Sequence, residues 1–353
     1  ASPSGTTSGD VGIYNKAVYG IYDPSTSSLK YAQSFDVLFA TTNRQLITEG
    51  VYDSQLSGGL LKREFDADTQ ANIDMVETGI TWVSASDLDD KITAAGSTTS
   101  VVIEGFAGDD ALTGGDADDR LVGGAGSDTL QGGGGNDLLY ADASDTLIDG
   151  GDGEEDKVIF TSDSGYTLDM RSENIQNVEQ AFGAAGNDTL FADDEGRVLS
   201  GEAGDDTIIG GDGDDYLVGG AGADSINGGA GNDVLVADVE DTLLNGGEGY
   251  DTLQLSGQPN QSIDLSDSRY QSIEKVLGTT GDDTLKAGDT DVRLEGNGGT
   301  DHFIGGAGND TFVIDGGEDT FEGGDGSDSV IFKGEGDITI NLTGTGVEIA
   351  NGS

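Results

Sequence analysis

Aspartate is the reactive side chain this sequence repeats most regularly. It recurs at multiples of nine residues, as Asp110, Asp119, Asp128 and Asp137 in one stretch and Asp206, Asp215, Asp224 and Asp233 in another. The single histidine, His302, and the absence of cysteine exclude disulfides, thiolate metal sites and multi-histidine metal sites. They also leave no basis for a serine or cysteine triad. What remains for binding is oxygen, from carboxylates and main-chain carbonyls. If residues 18 apart stack on neighbouring coils, Asp110 faces Asp128, Asp206 faces Asp224 and Asp215 faces Asp233. Two unit charges about 4 to 5 Å apart repel by roughly 1 kcal/mol even in water, and by several at a partly buried site. A divalent cation between them reverses the sign. An all-oxygen donor set rich in flexible carbonyls favours calcium over magnesium.

The elements that must hold these carboxylates follow from the same period. From Gly105 the chain can be written in lines of nine, beginning GFAGDDALT, GGDADDRLV, GGAGSDTLQ and GGGGNDLLY; a second block starts at Gly183 and a third at Gly278. One apolar residue recurs at the eighth place: Leu112, Leu121, Leu130, Leu139 and Ile148, then Leu190 through Leu253, then Leu285 through Val330. A period of nine with one inward side chain cannot make an amphipathic helix, which needs 3.6. It suits a strand of roughly three or four residues after a turn, with two lines completing one coil and stacked residues about 4.8 Å apart. Glycine supplies positive φ angles and lets successive turns approach closely.

The pattern G-G-x-G-x-D-x-(apolar)-x resembles the repeat of the RTX (repeats-in-toxin) family over about 250 residues of this chain. The resemblance implies calcium-loaded parallel β-rolls, as in the β-roll regions of bacterial surface-layer proteins and adhesins. It implies that each ion is held between consecutive same-side turns by sixth-place aspartates and by carbonyls of the glycine-rich turn. Carried onto this sequence, that role falls to Asp110, Asp119, Asp128, Asp137, Asp188, Asp206, Asp215, Asp224, Asp233, Asp251, Asp283, Asp301, Asp310 and Asp328. The irregular lines are placed in an orderly way. Arg197 and Val292 hold the sixth place in the second lines of their blocks, and "ADASDTLID", "ADVEDTLLN" and "IDGGEDTFE" come late in theirs. These lines read as caps of ion rows.

Composition divides the chain. Residues 1–100 hold 13 acidic and 6 basic side chains, the remainder 55 and 9, and a formal charge of −53 makes nucleic acid and anionic lipid surfaces poor partners. High charge with few aromatics is also the composition of disordered chains, but glycine at fixed spacing marks structure. Four segments are expected: a small, mainly helical domain over 1–100, and rolls with β-linkers over 101–182, 183–277 and 278–353. Candidate helices in the first segment start at Asp68 or Thr69, carrying Ile73 and Val76 and stopping at Gly79; at Ser86, carrying Leu88, Ile92 and Ala95; and over roughly Phe35 to Thr48. Each roll is followed by a stretch such as "YTLDMRSENIQNVEQAFG", read as two strands joined by a turn. Gly352 stands where a further roll would begin, the mark of a piece of a longer repetitive protein or of a bare coil edge open to strand addition.

No catalytic motif emerges. H-E-x-x-H and G-x-S-x-G are absent. "YGIYDP" at Tyr19 to Pro24 only faintly echoes an alginate-epimerase motif, and Asp23-Pro24 reads as a turn rather than a self-cleavage bond. His302 reads as a surface substitution and Trp82 as a core residue of the first segment. No apolar run reaches membrane-spanning length. The expectation is a non-enzymatic, mainly β protein of stacked rolls that binds several calcium ions. It is expected to be secreted or at the cell surface, exported by the family's type I route, and to self-associate or bind cell-surface components in a surface layer, adhesin or extracellular matrix. The competing reading is the calcium-binding and secretion module of an RTX exoenzyme or toxin.

Overall fold

The computed structural model describes residues 10–12, 19–23, 28–30, 51–55, 61–65, 68–162, 164–315, 318–333, 341–342 and 347–349. Short parallel strands account for most of the ordered structure. Each strand of the nine-residue lines carries an eighth-place residue, which turns inward while its immediate neighbours turn outward: Leu112, Leu121, Leu130 and Leu139 are fully buried between partly exposed residues. Pairing is with the strand 18 residues away, as in Leu112 with Leu130 and Leu121 with Leu139. Two lines therefore make one coil of a parallel β-solenoid, and the core is a file of single apolar side chains, one from each line.

The chain falls into two compact units, Ala1–Thr161 with Ser172–Glu179 and Ser162–Arg171 with Gln180–Ser353. In the first unit the parallel ladders extend upstream of the glycine-rich region. Ile73 pairs with Ile92 and Ile92 with Leu112, while Val83 pairs with Ile103. The helical segment expected there is not what forms. Among the described residues helix is limited to one turn, Met75–Thr78, capped by the Asp74 carboxylate and ended by Gly79 at φ +67°. Asn72–Asp74 and Lys91–Thr93, both assigned to helices by sequence, are strands. A helical face would have buried Val76 and Leu88 beside Ile73 and Ile92, yet Val76 is 50 % and Leu88 41 % exposed. A strand buries one residue per line, and Ile73 and Ile92 are the ones buried. Trp82 is also not a core residue: its Nε1 donates to Glu104 Oε2 at 3.2 Å, and Lys62 lies over its ring. The candidate helix at Phe35 to Thr48 lies outside the described residues. Further upstream the backbone runs antiparallel through Asp10–Gly12, Tyr19–Asp23, Ser28–Lys30, Val51–Gln55 and Leu61–Phe65.

In the second unit one ladder runs Leu190, Ile208, Ile226, Leu244. Another begins Leu199, Leu217, Leu235, Leu253 and continues through Val276, Leu294 and Phe312 to Val330. A third runs Ile263, Leu285, Phe303, Phe321. The linkers are themselves built of parallel coil strands. Thr167–Asp169 pairs in parallel with Thr189–Phe191, and Gln180–Phe182 with Val198–Ala203. Ile175–Gln176, in the first unit, pairs in parallel with Leu147–Asp152. The alternating apolar residues of these linkers are thus inward residues of longer coils, with Leu168 and Ala181 buried.

Close stacking explains the glycines. At Gly222, in the fourth place, φ is +145° and a Cβ would run into the carbonyl oxygen of Gly204 on the preceding coil. Only glycine meets both conditions.

Candidate metal centre

The turn before each strand delivers its sixth-place aspartate into the wall of the coil. All fourteen aspartates singled out from sequence are buried, none more than 4 % exposed. Their carboxylates form rows, in which the Oδ1 of each accepts a hydrogen bond from the main-chain N–H one coil earlier. In the first unit, Asp90 donates to Asp110, Asp110 to Asp128, and Asp128 to Asp145; on the other side Val101 donates to Asp119, Asp119 to Asp137, and Asp137 to Asp156. In the second unit the rows run from Tyr166 through Asp188, Asp206 and Asp224 to Asp241, and from Arg197 through Asp215 and Asp233 to Asp251. Two more run from Gln261 through Asp283 and Asp301 to Asp319, and from Val292 through Asp310 to Asp328. These bonds are 2.6–3.0 Å long.

The second oxygen is different. Among the described residues, the Oδ2 atoms of Asp110, Asp128, Asp137, Asp156, Asp206, Asp215, Asp224, Asp233, Asp251, Asp301, Asp310, Asp319 and Asp328 are buried with no hydrogen-bond partner. Asp119, Asp188 and Asp283 instead accept a main-chain N–H of their own turn at Oδ2. Each unpartnered Oδ2 from Asp110 to Asp251, Asp128 and Asp224 included, crowds the first-place glycine of its own line. At Gly105, Gly132, Gly201, Gly210 and Gly228 the first-place carbonyl of the next coil converges on the same point. Carboxylate and carbonyl oxygens thus flank the same point, and the carboxylate oxygen has no donor. A buried acceptor left unpaired costs roughly 1–3 kcal/mol, more when charged, so thirteen of them in stacked rows favour the binding of a cation or, failing that, of protons. The donors are hard oxygens only, which fits calcium. The residues that would hold it are the row aspartates and the first-place carbonyls, and a bound ion would supply the positive charge that joins one coil to the next.

Several row members escaped the nine-residue template. Asp90 lies in "ASDLDDKIT", a line with the sixth-place aspartate and eighth-place Ile92 but no glycine. Asp156 stands one place late, Asp145 and Asp241 one place early, and Asp319 in a line read as degenerate. Glu179 and Glu274, from the linkers, accept the main-chain N–H of Asp156 and Asp251 and so end two rows. Arg197 and Val292 begin rows, as their position suggested. The Arg197 guanidinium meets Asp193 at 2.6 Å. His302 bonds Thr320 Oγ1 at 2.8 Å and meets no carboxylate of the rows in that bond. A second, exposed ladder lies outside the first. Fifth-place Asp or Asn side chains accept from the N–H one coil later, as Asp109 from Ser127, Asn187 from Asp205, and Asp205 from Ala223.

Burial, joined by repulsion from neighbouring carboxylates and only partly offset by the main-chain hydrogen bond, pushes Asp110, Asp137, Asp215 and Asp301 up from 3.8 to about 7. Asp206, Asp233 and Asp310 rise to about 6 for the same reasons. Without metal, the folded state therefore holds these protons more tightly than the unfolded chain. The stability they contribute is whole below pH about 4 and is lost as pH rises through 6 to 7. Lowering pH from about 7.5 to about 5 is expected to raise the β-content of the metal-free chain. In subsaturating calcium the same change lowers metal-dependent stability, because protons compete for the ligands. Circular dichroism across that range, with and without chelator, reads both signs.

Parallel coils of two lines, with files of buried carboxylates whose free oxygens meet main-chain carbonyls, define an acidic cation-binding β-solenoid. The family model for the RTX calcium-binding nonapeptide repeat matches residues 93–121, 113–148, 179–195, 200–235, 277–312 and 315–333. These stretches carry the RTX calcium-binding nonapeptide repeat, coiled here as a parallel β-solenoid. Comparison with curated proteins finds no match.

Proposed function

We propose that this chain is a secreted structural protein that folds on meeting calcium and then self-associates, or joins cell-surface components, in a surface layer, adhesin or extracellular matrix. The observation that carries the reading is the set of carboxylate rows present in each of the two units, with thirteen buried oxygens that, among the described residues, lack a hydrogen-bond partner and that a shared cation would satisfy. Calcium is scarce in the cytosol and plentiful outside, so a charge of −53 keeps the chain open before export, and ion binding favours the folded state afterwards by mass action. The rolls have no catalytic step in this reading; their carboxylates are ligands, and their work is mechanical. Nucleic acid is not a partner for so acidic a surface. Among the described residues no helix is long and apolar enough to cross a membrane.

Electron microscopy of the purified chain with and without millimolar calcium tests this reading. Calcium-dependent sheets or filaments are the expected result. Monodisperse particles under both conditions contradict it and favour an accessory module of an exoenzyme or toxin.

A further inference from the structure

The three rolls end one of their rows differently. In the first two, the last aspartate stands one place early, and both of its oxygens are used by the main chain. Asp145 accepts from Asp128 and Asp142, and Asp241 from Asp224 and Asp238, all at 2.8–3.0 Å. In the third roll Asp319 keeps the sixth place. Its Oδ1 accepts the Asp301 N–H at 2.8 Å and its Oδ2 is buried without a partner, as is the Oδ2 of Asp301. The two residues are 4 % and 1 % exposed.

A second difference lies at the start of that line. Every other unpartnered row carboxylate has glycine at the first place of its line, whereas Asp319 has Ile314, followed by Asp315. Asp301, Asp315 and Asp319 each bring a ligand oxygen to within 4.8 Å of the other two. Two of these carboxylates are walled in by the coil and the third, Asp315, stands at the exposed edge. Three like charges so placed repel unless a cation lies among them.

We infer that Asp301, Asp315 and Asp319 form a three-carboxylate cation site, in which Asp315 adds a third carboxylate to the row step between Asp301 and Asp319, and that it is the tightest calcium site of the chain. It rests on the calcium reading above and adds to it a named position where one more anionic ligand strengthens binding. Affinity in oxygen sites rises with ligand charge. The equivalent second-place aspartates of the other rolls, Asp142 and Asp238, face a free oxygen on Asp128 and Asp224 but stand beside Asp145 and Asp241, both of whose oxygens are taken by main-chain N–H groups, so among the described residues neither completes a three-carboxylate cluster.

Calcium titration of the metal-free full chain by isothermal calorimetry, with Asp315→Asn, Asp142→Asn and Asp238→Asn, tests this. Wild type is expected to show one ion bound ahead of the rest, and Asp315→Asn to weaken that ion by about tenfold, leaving the remaining uptake and the calcium-loaded circular dichroism unchanged. The other two variants are expected to keep it. If Asp315→Asn titrates as wild type, or if all three variants weaken the first ion alike, the inference is overturned while the calcium reading stands. A wild-type chain that takes up no calcium would overturn both.

Discussion

Stripped of calcium at about pH 7.5, the chain is expected to lose most of its parallel β-structure, and to regain it when millimolar calcium is restored. Each line of nine contributes one fully buried side chain, such as Leu217 or Ile226, worth roughly 1.5–3 kcal/mol. Fixing the backbone of each residue costs roughly 1–2 kcal/mol, so the core is thin for the length of chain it must order. The turns then add repulsion, with the carboxylates of Asp206, Asp224 and their row neighbours buried and stacked. Calcium removes that repulsion and contributes about 1.4 kcal/mol per site for each tenfold rise above its dissociation constant. Far-ultraviolet circular dichroism before and after chelation measures the change. Full β-signal with the ions removed would show that the apolar file alone holds the coils.

Phe312→Ala is expected to give the largest effect of any single core substitution, about 3–5 kcal/mol. Phe303, Phe312 and Phe321 are buried, with Phe312 stacked between the other two at centroid distances of 6.0 and 5.8 Å. Truncating the middle ring leaves a cavity whose walls are strands locked in register, so little can collapse into it. Repeat solenoids gain stability from nearest-neighbour contacts, and the loss should stay local. Hydrogen exchange in saturating calcium is expected to show faster exchange around Thr311–Ile314 and its partner strands, with Leu121 and Leu139 unaffected. Equal loss of protection in both units would contradict a local core.

What the sequence disclosed was the part that repeats without interruption. Eighth-place leucines and sixth-place aspartates have fixed spacing because the coil length is fixed, so their burial and stacking could be anticipated residue by residue. The parts that escaped are those where the coil length changes. Ile73, Ile92 and Leu112 share one ladder at intervals of 19 and 20, which breaks a template of nine and left their segment looking helical. Asp90 shares its row with Asp110 at an interval of 20 and without a single glycine in its line. Asp156, Asp145 and Asp241 were hidden by one-place shifts, and Glu179 and Glu274 by lying in linkers that did not look like coils. The outer ladder of fifth-place Asp and Asn is written as "GND" and "GDD", but a solvated acid carries no signal of its own until its hydrogen-bond partner is known.

The most direct test of the account is anomalous diffraction from crystals grown in millimolar calcium. The account predicts a file of calcium peaks along each row, with one between Asp206 and Asp224 and another between Asp215 and Asp233. Intact coils with no metal density at those carboxylates would contradict it.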